Sequence, residues 1–200
     1  MGAARWSLPI FVLLMVCKVL TVHGQVLRLN EALEQIKKTG MVPSVVYAEH
    51  DDNPKVSFNK SMRKILSETD GTLLLFEDDV VIKDFSPFYK ALTQLPDDWD
   101  LCYLGANLVA PIERYSENLF KTFGAWTTHA VMYRNPKAIA DRYEDTSIMF
   151  DDWLKTWIHP NGNTFIISPM IAWQKPHQST LWSHFADYTD IFNASANKLL

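Results

Sequence analysis

Residues 71–82 read Gly-Thr-Leu-Leu-Leu-Phe-Glu-Asp-Asp-Val-Val-Ile: an apolar run delivers three consecutive carboxylates and then turns apolar again. A continuous apolar run reads as a strand buried on both faces. Glu77, Asp78 and Asp79 are therefore expected where that strand leaves the sheet. Three acids this close repel one another unless a cation neutralises them, and carboxylate oxygens suit hard divalent ions such as magnesium or manganese. The end of such a strand is also where an open α/β sheet holds its ligand. The plainer alternative is a solvated acidic turn.

The flanking sequence supplies the rest of a sheet. Residues 18–22 read as a β-branched strand ending at His23-Gly24. Leu27, Leu29, Leu33 and Ile36 then fall near one helical face, and Gly40 closes that helix. Residues 43–48 form a second strand, closed by the polar cluster Glu49-His50-Asp51-Asp52-Asn53-Pro54. Residues 57–69 form a helix with Met62, Ile65 and Leu66 inward, broken at Asp70-Gly71. With the acidic strand this makes a βαβαβ unit and predicts a parallel sheet covered by helices. Further on, residues 86–93 read as a short helix, 99–104 as a strand, 120–133 as two short strands with glycine at the bend, and 164–167 as a last strand. Helices are expected from Asn135-Pro136 to about residue 142 and from Phe150-Asp151-Asp152-Trp153 onward. The stretch 178–200 shows no clear period and is expected to be a flexible closure.

Two hundred residues, 48% hydrophobic, suffice for one globular domain with a real core. The formal net charge of -4, from 19 basic and 23 acidic side chains, argues against a nucleic-acid binder. Cys17 and Cys102 form no metal-ligand spacing and read as buried free thiols. The first 24 residues carry Arg5, an apolar run and the ending Val22-His23-Gly24, as a secretory signal does, but Lys18 interrupts the run. An apolar span of about twenty residues, as a membrane helix needs, is absent, and a structural strand is the preferred reading. Asn59-Lys60-Ser61 and Asn193-Ala194-Ser195 are formal glycosylation sequons. The expected organisation is an apolar segment at 1–16 (extra strand or signal-like), a catalytic domain at 17–182 and a tail at 183–200. A cytoplasmic location is expected, or the secretory pathway should residues 1–24 act as a signal.

In order, these segments resemble a GT-A-fold glycosyltransferase, and most closely glycosyltransferase family 25, the lipooligosaccharide galactosyltransferase type. The likeness lies in Val19-Leu20-Thr21-Val22 with Arg28, in Leu73-Leu74-Leu75-Phe76-Glu77-Asp78-Asp79-Val80, and in Trp99-Asp100-Leu101-Cys102-Tyr103-Leu104-Gly105. It continues in Thr128-His129-Ala130-Val131-Met132-Tyr133, and near the end in Ala172-Trp173-Gln174 with Ser179. It spans roughly residues 17 to 182. One departure stands out: where the family has a glycine and then Ser-His before the acidic strand, this chain reads Ser57-Phe58-Asn59-Lys60-Ser61-Met62, without the histidine. The resemblance implies a Rossmann-like α/β fold with a mostly parallel sheet. It also implies transfer of a sugar from a nucleotide-diphosphate donor, with UDP favoured, to a glycan or lipid-linked saccharide.

Such transfer needs the leaving diphosphate neutralised, which a manganese or magnesium ion held by carboxylates achieves. Glu77 and Asp79, two apart, would share one face of an extended strand. Asp79 is the first choice of metal ligand, with Glu77 as a further ligand, and Glu77 or Asp78 contacting the ribose or sugar. His177 is a further ligand candidate, with His184 as competitor. Lys175 is placed to pair with phosphate. The resemblance implies that the turns after the first two strands, with Thr21, His23, Arg28 and Glu49, cradle the nucleotide; for Arg28 the alternative is a solvated helix residue. An inverting reaction needs a base, for which Asp152, with Asp151 beside it, is the candidate; the alternative is simple capping of a helix N-terminus. Trp126, Trp153, Trp157 and Trp173 are candidates for a sugar-stacking surface, several of them more fitted to the core. Two other activities fit the sequence: a silent binding or adhesion module on this fold, and a metal-dependent nucleotidyltransferase or phosphohydrolase.

Overall fold

The computed structural model describes residues 15–144, 147–181 and 184–200. The expectation for the first apolar segment falls largely on residues 1–14, outside the described residues. The chain opens with β1 (Val16–Thr21), α1 (Val26–Lys37), β2 (Ser44–Tyr47), α2 (Pro54–Ser67) and β3 (Leu73–Glu77), the βαβαβ unit expected. β1 pairs in parallel with β2 on one side and β3 on the other. The helix α2 starts three residues earlier than its apolar period suggests. Asn53 caps it by accepting from the Lys55 N–H at 3.0 Å, and Pro54 takes the first helical position, where no N–H is needed. In α1 the buried face is Leu29, Ala32 and Ile36, whereas Leu27 stands 81% exposed, off the face it was expected to join. Gly40 takes φ +84° beyond that helix, a backbone state that glycine adopts freely.

After the acidic turn come β4 (Val80–Ile82), α3 (Ser86–Leu92), β5 (Leu101–Tyr103), β6 (Asn107–Leu108), β7 (Ile112–Arg114), β8 (Leu119–Thr122), β9 (Ala125–Trp126) and β10 (Ala130–Tyr133). The chain continues with α4 (Pro136–Arg142), α5 (Phe150–Trp157), β11 (Thr164–Ile167), β12 (Ala172–Gln174), β13 (His177–Gln178), β14 (Phe185–Ala186) and α6 (Thr189–Asn197). The main sheet has eight strands in the order β2-β1-β3-β10-β5-β11-β8-β7. Only β10 and β8 run against the rest, so the sheet is mixed with most strands in one direction. Short pairs β12–β4, β13–β14 and β6–β9 sit beyond it.

Both faces are covered, which is why β3 reads as an unbroken apolar run. Leu73 and Leu75 join Met62, Ile65, Tyr133, Phe150 and Phe192 beneath α2, α4, α5 and α6. Leu74 and Phe76 join Ala32, Ile36, Phe88 and Ala91 beneath α1 and α3. The last segment differs from the expected flexible closure: α6 buries Phe192, and Ser195 Oγ accepts from the Leu108 N–H at 2.9 Å. Cys17 and Cys102 are free. With β3 and β10 between their strands they lie about 14 Å apart, beyond disulfide reach. No helix among the described residues is long and apolar enough to cross a membrane.

Candidate active site

β1 and β3 lie side by side, but the chain leaves them in opposite directions: β1 leads to β2 at the edge, and β3 leads towards the far half of the sheet. Such a switch opens a crevice at the strands' C-terminal ends, and the polar side chains gather there. Thr21 Oγ1 donates to Asp78 Oδ2 at 2.6 Å. Arg28, in the first turn of α1, pairs with Asp78 Oδ1 and lies 3.6 Å from Asp79 Oδ2. Its Nε and Nη1 are buried and have no partner. Buried polar atoms are almost always satisfied, so these two donors face a missing acceptor.

The short β12–β4 pair supplies the opposite wall. β12 runs antiparallel to β4, which brings Gln174 Nε2 to 2.8 Å from Asp79 Oδ2, while the Lys175 N–H donates to the Asp79 carbonyl. His177 Nδ1 lies 2.8 Å from the Lys175 carbonyl, which can only accept, so Nδ1 carries the proton. Nε2 then points at Asp79 Oδ2 from 3.4 Å. A neutral ring would set two lone pairs against each other there, a contact reconciled by a proton or by a cation between them. Cis ligands of an octahedral magnesium ion stand about 3 Å apart, so the spacing suits an ion, and Asp79 Oδ1 is buried with no partner. Asp79 and His177 together fit one divalent cation. Among the described residues no three His, Cys, Asp or Glu side chains form a group able to hold one, so further ligands would come from substrate oxygens and water. Burial pushes the Asp79 carboxyl up, against the pull of Gln174, Arg28 and His177.

Glu77 takes another direction from that expected. The strand ends at Glu77 and the chain turns at Asp78 and Asp79, so the period-two alternation does not carry through. Glu77 Oε1 accepts from Thr128 Oγ1 at 2.8 Å. Burial, reinforced by the neighbouring Asp79 charge, pushes its pKa up to about 8. Next to Thr128, Thr127 has φ +74°, a left-handed conformation that strains a β-branched residue by roughly 1–3 kcal/mol. The Thr127 backbone lies close enough to Asp151 to favour its ionised carboxylate.

The acidic pair at the start of α5 divides. Asp151 is half-buried; desolvation and the adjacent Asp152 push its pKa up, against the pull of the helix-terminal N–H groups and the Thr127 backbone. It also lies close enough to Glu77 and Tyr188 to act on them electrostatically. Asp152 instead stands exposed, accepting from Trp126 Nε1 at 3.1 Å and Lys155 Nζ at 2.9 Å. Asn59 fixes this helix start: its amide accepts from the Phe150 N–H at 3.1 Å and donates to the Ile148 carbonyl at 3.0 Å. Read from sequence only as a sequon, Asn59 is 1% exposed and closed to glycosylation.

A cleft of about 240 Å³ joins Thr21, Arg28, the three acids, Gln174 and His177 to an apolar wall that includes Val22, Ala48, Phe58 and Leu181. The other candidates lie outside it. Glu49 pairs with Lys64 on α2, and Asp51 lines the cleft in its place. His23 stacks on Tyr47 with ring centroids 4.4 Å apart. Lys175 pairs with Glu31 at 2.6 Å on the far side of the acidic turn. His184 is exposed, its carbonyl accepting from the Ser179 N–H. Of the tryptophans, Trp153 is core, Trp173 stacks under Lys83, Trp157 is exposed at the end of α5, and Trp126 stands at the sheet's ligand edge. Thr128 and Gln174 fall within segments that carry the family likeness and Asn59 within a sequon, but none stands out in sequence as a candidate site residue, because their contacts depend on β10, β12 and α2 meeting across the fold.

The sequence matches no protein-family model and no curated protein. Among solved structures it is similar to A197 from STIV, with a TM-score of 0.53 and 12% identity over 82% of this chain and 86% of that one. It is also similar to a glycosyltransferase involved in the glycosylation of the major capsid of PBCV-1, with a TM-score of 0.50 and 10% identity over 77% and 82%. A Bacillus anthracis protein assigned as a glucose-1-phosphate thymidylyltransferase, solved with a sucrose, gives 0.51 and 9% over 93% and 96%. At these identities the likeness is one of fold: the Rossmann-like α/β fold of nucleotidyl- and glycosyltransferases.

Proposed function

We propose that this protein is a metal-dependent glycosyltransferase that moves a sugar from a nucleotide-diphosphate donor to a hydroxyl acceptor with inversion. One observation carries the reading: a buried acceptor, Asp79 Oδ1, and two buried donors on Arg28 stand unsatisfied in the same crevice. A cation and a diphosphate bound together would satisfy both. The cation, manganese or magnesium, would be held by Asp79 and His177 and would supply neutralisation of the departing diphosphate. Arg28 binds diphosphate oxygens through Nε and Nη1. Thr21 and Arg28 orient Asp78 towards the ribose. Glu77, carrying its proton at neutral pH, contacts the transferred sugar without adding charge. The apolar wall with Phe58 takes the base, with a uracil favoured.

Asp151 acts as the base in this reading. It draws the proton from the acceptor hydroxyl as that oxygen bonds to the anomeric carbon and the bond to the diphosphate breaks. A carboxyl raised by burial suits that work at neutral pH, and the exposed pairing of Asp152 with Lys155 leaves it for the acceptor side. Of the segments that carry the likeness to family 25, three contribute Thr21, Asp79 and Gln174 to the lining of the cleft.

Calorimetric titration with UDP, with and without manganese, tests the reading. Wild-type protein is expected to bind UDP only with the ion, and Asp79→Asn, nearly isosteric, to lose that binding while keeping its unfolding midpoint. Unchanged binding in the variant would overturn it. Release of pyrophosphate from a nucleoside triphosphate and a sugar 1-phosphate, in place of UDP from a UDP-sugar, would instead assign a nucleotidyltransferase.

A further inference from the structure

We propose that this chain pairs with a second copy of itself along β2, the two edge strands running antiparallel about a twofold axis to make one continuous sheet. The inference is independent of the glycosyl-transfer reading. β2 stands at one end of the main sheet, paired with β1 alone among the described strands. The other end is β7, where Glu113 and Arg114 stand exposed, and charges of that kind keep an edge from pairing. β2 has no such guard. Residues 39–48 carry no charged side chain, and Pro43 precedes the strand instead of interrupting it. Val42, Val45 and Tyr47 are 89%, 37% and 49% exposed.

The backbone fixes what this edge can bind. The Ala48 N–H donates to the Thr21 carbonyl at 2.8 Å, continuing the ladder to β1. Along a strand the polar groups of successive residues point to opposite sides, so the N–H and C=O of Val45 and Tyr47 face outward. In an antiparallel pair centred on Val46, each Val45 lies opposite the Tyr47 of the other copy. Outward-facing residues placed opposite each other exchange both N–H···O bonds, which gives four bonds across the seam. It also sets a β-branched side chain against an aromatic ring twice, a favourable cross-strand pair. Tyr47 is held ready for this by His23, stacked on its ring.

The faces agree as well. Val45 lies beside Val19, on the side of the sheet that α1 covers. A twofold axis normal to the sheet keeps both copies of α1 on that one side, as directly opposed residues require. A stable pair takes about 800 Å² from each partner, more than four residues of strand supply. Arg28 and Glu31 face the acidic turn and Lys175, so the exposed Val26, with Leu33, lies on the β2 side of α1 and extends the surface. An uncharged strip meets no like charge in its own copy, whereas an acidic or basic partner would find nothing along it to pair with.

Sedimentation velocity on the whole chain across micromolar concentrations tests the pairing. Wild-type protein is expected to sediment as a pair, at twice the chain mass of 23.0 kDa. Val45→Lys and Tyr47→Glu each put unpaired charges into the seam, and each alone should weaken association about tenfold or more. Both side chains are partly exposed, so the urea midpoints should stay near wild type. Mixing the two variants sets the new ammonium of one chain opposite the new carboxylate of the other and should restore a pair. A wild-type monomer at the highest concentration, an unshifted equilibrium in either variant, or a mixture no tighter than its components overturns the proposal. A monomer whose Val45 and Tyr47 amides resist hydrogen exchange has that edge covered by another segment of its own chain, and overturns it equally.

Discussion

Gly105, at the end of β5, is the position where one methyl group should do most damage. A Cβ there would fall 1.8 Å from the Ala172 carbonyl oxygen and 2.9 Å from its carbon, both backbone atoms with no freedom to swing away. Restoring even a 3.0 Å contact requires the two segments to part by about 1.2 Å. The segments are joined by Leu104 O, which accepts from the Ile171 N–H at 2.9 Å and the Ala172 N–H at 3.1 Å, and that displacement breaks both. Two lost bonds at about 1 kcal/mol each and overpacking at about 1–3 kcal/mol place Gly105→Ala roughly 3–5 kcal/mol below wild type. The damage does not stop there. Ala172 begins β12, whose Gln174 holds Asp79 at 2.8 Å, so UDP binding with manganese should weaken with stability. Urea unfolding and calorimetry on one preparation measure both. Gly40→Ala is the control, since its Cβ would meet nothing within 4 Å and only the φ of +84° opposes it, at about 1 kcal/mol. A Gly105→Ala protein with wild-type midpoint and wild-type binding would refute the argument.

Asp151→Asn should lower turnover by roughly a hundredfold or more with UDP affinity unchanged; Asp152→Asn should act chiefly on the acceptor KM, and steady-state kinetics on both variants separates the roles. His159 is buried between the Tyr103 hydroxyl and the Ala125 N–H, and desolvation, with Lys155 nearby, pushes its pKa down to about 4. The fold therefore holds the ring neutral, and the unfolded chain takes the proton first. Stability is lost as pH falls from about 6.5 towards 4, by at most about 3 kcal/mol. Glu77, whose raised pKa favours the fold at low pH, opposes this trend, so the test is the difference between wild type and His159→Gln in urea midpoint at pH 7 and pH 4.5; equal slopes would exclude the histidine. Removing residues 189–200 should uncover the surface that Phe192 fills and release Leu108 from Ser195, lowering the melting temperature by several degrees.

The acidic turn was legible because its signal is local: a strand buried on both faces must be apolar throughout, and carboxylates appear only where it ends. The βαβαβ order was legible too, whereas Thr21 and Arg28 were singled out only by the family resemblance. What escaped depends on long-range meetings. Leu27 fits a helical period yet faces solvent, because α1 presents only Leu29, Ala32 and Ile36 to the sheet. Asp151 and Asp152 are interchangeable in sequence; only the Thr127 backbone on one side and Trp126 with Lys155 on the other tell them apart. The helix α6 shows no clear period because Phe192 and Ser195 are its buried residues. Thr127 has no sequence mark at all, since a left-handed threonine is held there by its neighbours.

The sheet order has a consequence for how the chain comes off the ribosome. β1, β2 and β3 are complete by residue 77, but the free edge of β3 stays open until β10 inserts between it and β5. An unpaired apolar edge is a site of misassociation, and closing it across such sequence separations is slow. The final ring around Asp79 closes later still, since Gln174 lies 95 residues downstream. A nascent chain thus carries the acids long before it carries their clasp, and only a finished molecule holds Asp79 from both walls.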